Sequence, residues 1–100
     1  MTKVYISGKI TGLPMDHVIE KFEAAEQWLI KEGHYDIVNP VKLDHSANTE
    51  QDWALFMKTD LKAFLDCDAI LMLPCWPSSD GANLELLIAR QLRYDIFWLE

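Results

Sequence analysis

The chain has 100 residues, half of them apolar, which is enough for one hydrophobic core and a single domain over residues 1–100 without disulfide or metal staples. Nine Lys and Arg against sixteen Asp and Glu leave a net charge of −7, so composition gives no support to a nucleic-acid polymer as partner. No apolar run approaches a bilayer span and no basic-then-apolar leader opens the sequence, which together carry the expectation of no membrane partner and a cytoplasmic location.

Val4 to Ser7 favours a strand, and Gly8-Lys9-Ile10-Thr11-Gly12 reads as the glycine-bounded loop that follows it. From Met15 to Lys31, the apolar residues Val18, Phe22, Ala25 and Leu29 recur at helical spacing, with Pro14 before and Gly33 after them. Tyr35 to Val38 is a second short strand closed by Asn39-Pro40, and the polar stretch to about Glu50 is a connecting loop. Helical period returns over Gln51 to Asp66, with Trp53, Phe56, Met57, Leu61, Phe64 and Leu65 as the apolar set. Asp68 to Leu73 is almost wholly apolar, as a strand covered on both faces should be, and Pro74-Cys75-Trp76-Pro77 breaks it. Ser78-Ser79-Asp80-Gly81 then opens a third helix whose buried face is expected at Leu84, Ile88 and Leu92, and Tyr94 to Leu99 forms the last strand.

Strands alternating with helical crossovers imply an α/β fold, a Rossmann-like or flavodoxin-like three-layer sandwich with a small parallel sheet of about four strands in the order 2-1-3-4. In such sheets the crevice lies beyond the carboxyl ends of the strands where strand order reverses, so the loops after strands one and three should border it.

Cys67 and Cys75 fit no C-x-x-C pair and are expected as buried free thiols, while His17, His34 and His45 show no ligand spacing, so no metal is implied. Two acids stand out. At ~100° per residue, Asp60 falls about 20° from Trp53 on the apolar stripe of the second helix, and Glu85 points inward on the third, about 40° from Gly81. A charged carboxylate in an apolar setting costs several kcal/mol unless compensated, by backbone amides or by a Lys such as Lys58 or Lys62 in the case of Asp60. Glu85 has its own ordinary explanation as a first-turn acid favoured by the helix dipole. Two carboxylates converging on one cleft otherwise suit glycosidic-bond chemistry. A metal at the pair would need a third acid or histidine in register.

Ser78-Ser79-Asp80-Gly81 offers hydroxyls and free N–H groups at a helix start, where an anion such as phosphate is stabilised, although an N-cap by Ser79 or Asp80 explains the same residues. The Gly8–Gly12 loop has neither the Walker A nor the G-x-G-x-x-G register. Trp53 and Trp76 can stack on a base or fill core.

Taken in order, Tyr5-Ile6-Ser7-Gly8-Lys9-Ile10-Thr11-Gly12, Asn39-Pro40, Asp60-Leu61 before Cys67-Asp68, and Ser79-x-Gly81-x-x-x-Glu85 resemble the nucleoside 2-deoxyribosyltransferase superfamily, which includes the 2′-deoxynucleoside 5′-phosphate N-hydrolases. The resemblance spans nearly the whole chain and is nearest to a small phage-type domain family of unknown function within that superfamily. It implies catalytic Glu85, Asp60 and Tyr5, with Gly8, Lys9, Ile10, Ser79 and Gly81 binding substrate and no cofactor. The implied reaction is a retaining double displacement: Glu85 attacks C1′ of a 2-deoxyribosyl group as the base leaves, and water or another base releases the sugar ester. Asp60 would aid departure of the base or hold the sugar, Tyr5 would orient Glu85, and Lys9 would approach a phosphate. Nearness of the two acids predicts coupled titration.

The expected partner is thus a small nucleoside or nucleotide, and the aromatic content, with little chain after the last strand, carries the expectation of a homodimer or higher homo-oligomer. A noncatalytic nucleotide-binding module, a sensor or a sponge in phage–host conflict, is the alternative. Release of free base and its response to Glu85→Gln separate the two.

Overall fold

A computed structural model describes residues 2–49 and 51–100. Its elements in chain order are β1 (Lys3–Ser7), α1 (Met15–Lys31), β2 (Asp36–Val38), α2 (Trp53–Phe64), β3 (Ala69–Met72), α3 (Asp80–Gln91) and β4 (Asp95–Trp98), with 3-10 turns at Pro40–Lys42 and Trp76–Ser78. The four strands form one parallel sheet in the order β2-β1-β3-β4, as the alternation of strands and helices requires. Tyr5 pairs with Val38 on one side and Ile70 on the other, so β1 is central and its side chains are covered on both faces.

Period-two alternation divides the sheet between two cores. Val4, Ile6, Ala69, Leu71 and Leu73 meet Val18, Phe22, Ala25 and Leu29 of α1. On the other face Tyr5, Ile70 and Met72 meet Phe64, Cys67, Ala82, Leu86 and Ala89, contributed largely by α2 and α3. The split follows from handedness. A right-handed crossover from β1 to β2 and others running the opposite way along the sheet must place α1 on one face and α2 and α3 on the other. The reversal between β1 and β3 therefore opens a crevice at their carboxyl ends.

Several helix details differ from the sequence expectation. Gln51 has a φ of +53°, outside the helical region, so α2 begins only after Asp52, whose side chain caps it by accepting the Ala54 N–H at 2.8 Å. Trp53 and, just past the end of α2, Leu65 are exposed, and within the helix burial concentrates on Met57, Asp60 and Phe64. On α3 the buried face is Ala82, Glu85, Leu86 and Ala89; Leu84 and Ile88 are half-buried and Leu92 is exposed. The alanines explain the rotation. Small side chains let the helix approach the sheet closely, and the leucine line is left on its flank. Glu85 is also in the second turn, the first-turn acid being Asp80, so the dipole explanation passes to Asp80.

Gly8 is fixed by a close approach. A Cβ there would lie 2.8 Å from Leu73 Cδ1 and 3.0 Å from Leu73 Cβ, inside the α1-side core. Gly8→Ala is therefore expected to cost about 1–3 kcal/mol through overpacking, read as a lower midpoint of urea unfolding at unchanged slope.

Candidate functional site

The residue alternation that buries Ile6 toward α1 aims Tyr5 and Ser7 at the opposite face, and Ser7 ends β1 at the crevice. Glu85 reaches the same point from α3. Its Oε2 accepts the Tyr5 hydroxyl at 2.6 Å and its Oε1 accepts the Ser7 hydroxyl at 2.7 Å. All three side chains are buried, so the carboxylate has exchanged water for two fixed hydroxyl donors.

Burial pushes the Glu85 carboxyl up to about 7; the Tyr5 and Ser7 hydrogen bonds pull it down, and Asp60 adds a smaller upward push. Tyr5 is itself held well above its ordinary value, by burial first and then by Glu85 and Asp60, and so stays a phenol that donates. Asp60 is raised mainly by burial, against which His45 acts through a 2.8 Å contact from Nε2 to Oδ1. The compensation for Asp60 comes from neither lysine suggested by the sequence, since Lys58 and Lys62 are exposed, but from His45 in the loop before α2.

Asp60 and Glu85 both face one cavity of about 620 Å³. Tyr5, Gly8, Lys9, Ile10, Ser79 and Gly81 line it too, so every site residue expected from the sequence is brought to a single hollow. Trp53, Phe56 and Met57 of α2 give it an apolar wall. Its size and mixed lining suit a small ligand held by a few polar groups. Trp76 is not among the lining residues; it packs instead against Trp98, ring centroids 5.8 Å apart.

At the cavity edge Ser79 caps α3, accepting the Ala82 N–H at 3.1 Å. The β1 loop is tied to the β3 loop through Cys75, whose sulfur accepts the Lys9 N–H at 3.2 Å and the Lys21 ammonium at 3.1 Å. Cys75 is thus a half-buried link between the two loops that border the crevice, whereas Cys67 is the buried thiol expected; both are free. Among the described residues no group of three or more His, Cys, Asp or Glu is placed to hold a metal ion.

Two site residues escaped the sequence reading. Ser7 could have been found, because alternation puts it on the Tyr5 face. His45 gave no such signal, since its approach to Asp60 depends on the path of an irregular loop.

No curated protein and no solved structure matches the chain. A family model described as a domain of unknown function, DUF4406, matches residues 2–98, so the chain belongs to that family.

Proposed function

We propose that the protein cleaves, or transfers at, the N-glycosidic bond of deoxynucleosides or their 5′-monophosphates, with Glu85 as nucleophile. One observation carries this reading: a buried glutamate, oriented through both oxygens by Tyr5 and Ser7, faces a cavity shared with a second carboxylate. Its two hydroxyl donors leave it a lone pair for attack on C1′, and its position near neutrality in protonation keeps a substantial ionised fraction at pH 7. Asp60, on the same cavity, is the group that assists the departing base. The apolar wall with Trp53 and Phe56 offers the nucleobase a surface to stack on. The first N–H groups of α3 and Lys9, which also line the cavity, offer a 5′-phosphate its counter-charge.

Incubation with the four deoxynucleosides and their monophosphates, followed by chromatography of the products, is expected to yield free base from at least one of them. Binding that raises the melting temperature without base release would instead favour the noncatalytic nucleotide-binding module.

A further inference from the structure

His45 enters from the connection between β2 and α2 and is held at two points. Its Nε2 lies 2.8 Å from Asp60 Oδ1, and its ring packs on Phe56 with centroids 4.9 Å apart. The pair is largely enclosed, with side-chain exposures of 19% for His45 and 10% for Asp60. Asp60 in turn pushes up Glu85 of α3 and Tyr5 of β1, and His45 helps to hold the neighbouring Asp44 down. A carboxylate facing an active cavity gains nothing for binding a neutral base from a partner fixed on its far oxygen. It does gain a defined orientation and a stabilised anion.

We propose that His45 is a positioning residue for the reaction assigned above, and therefore rests on that reading: its Nε2–H holds Asp60 Oδ1, presents Oδ2 to the cavity, and stabilises the carboxylate formed when Asp60 gives its proton to the departing nucleobase. A carboxylate lone pair of Glu85 forms the bond to C1′ while the C1′–N bond breaks. Its electron pair goes to the base nitrogen, which takes the proton from Asp60 Oδ2. In hydrolysis water then adds to C1′, its proton passes to Asp60, and the bond to Glu85 breaks with its pair returning to the carboxylate. Burial raises the Asp60 carboxyl and so favours the protonated form that serves as donor, while the imidazole N–H lowers the cost of releasing that proton.

The test compares a deoxynucleoside monophosphate with 4-nitrophenyl 2-deoxyriboside, with and without a 5′-phosphate, whose leaving group departs as a stable anion and needs no proton. His45→Leu, which keeps apolar packing on Phe56, is expected to slow base release by about 10²-fold but nitrophenolate release by less than about 3-fold. His45→Gln, which keeps an N–H within reach of Oδ1, should recover much of the loss, and His45→Ala, which also removes the N–H, stands in if the leucine variant fails to fold. An equal loss on both substrates, or no loss on either, overturns the proposal. The ¹³C carboxyl resonance of Asp60, followed against pH, separates this from failure of the function itself. In His45→Leu its titration should move upward by about one pH unit or more whether or not any substrate turns over. An unmoved titration overturns the pairing, whereas turnover of neither substrate by the wild-type protein overturns the glycosidic reading and the proton transfer with it.

Discussion

Glu85→Gln is expected to lower base release by about 10³-fold or more while leaving nucleotide binding within a few-fold. The amide occupies the space of the carboxylate in the cavity and still accepts a hydroxyl hydrogen bond, but it has no anionic lone pair to form an ester at C1′. Wild-type protein quenched in acid during turnover should carry a 2-deoxyribosyl adduct by intact mass, and the variant should carry none. The same assignment fixes the pH profile. With a nucleobase to protonate, deprotonation of Asp60 adds a falling limb to kcat/KM. On the nitrophenyl riboside, which needs no proton, only the limb set by ionisation of the nucleophile remains, rising with pH to a plateau governed by an apparent value near the 7 to which burial lifts Glu85. Tyr5→Phe removes the donor 2.6 Å from Oε2 and with it part of what holds the carboxyl down, so that limb should move upward by roughly one pH unit. Undiminished base release by Glu85→Gln would mean that the nucleophile is not this residue.

The parts of this site that could be read in the sequence are those carried by periodic elements. Glu85 and Asp60 announce themselves because regular helices make an acid on an apolar stripe conspicuous, and Tyr5 sits on a strand whose alternation is plain. The sheet order follows equally directly, since short strands joined by helices have few right-handed solutions. What failed was finer. Leucine outweighs alanine in any hydrophobic pattern, so Leu84, Ile88 and Leu92 drew the inferred face of α3 away from Ala82, Leu86 and Ala89, where close approach to the sheet decides burial. His45 lies in a loop with no period, and its partner is fixed only by how the chain returns from β2 to α2. The Lys21–Cys75 contact is equally nonlocal, tying α1 to the loop after β3.

Removing the Glu85 charge should also stabilise the fold. Glu85 has its carboxyl raised from 4.5 to about 7 by burial, so the native state holds a proton that the unfolded chain releases. Between about pH 4.5 and pH 7 the folded form therefore binds more protons, and stability must fall as pH rises through that window and level off above it. Converted at 1.36 kcal/mol per pH unit, the loss is about 3 kcal/mol, a large share of the margin of a 100-residue domain. Asp60, also raised by burial, acts in the same direction. Glutamine in place of Glu85 abolishes the ionisation but gives up one acceptor for the paired Tyr5 and Ser7 hydroxyls, worth about 1 kcal/mol. The variant is thus expected to exceed wild type by about 2 kcal/mol at pH 8, or about 10 °C in Tm. Below pH 4.5, where wild-type Glu85 is protonated in both states, that advantage should vanish or reverse slightly. Thermal unfolding of the two proteins from pH 4 to pH 8 decides the matter. Parallel curves at every pH would show that Glu85 keeps its charge at no cost, and a carboxylate held without cost would have to be far better solvated than one 4% exposed beneath Tyr5 and Ser7.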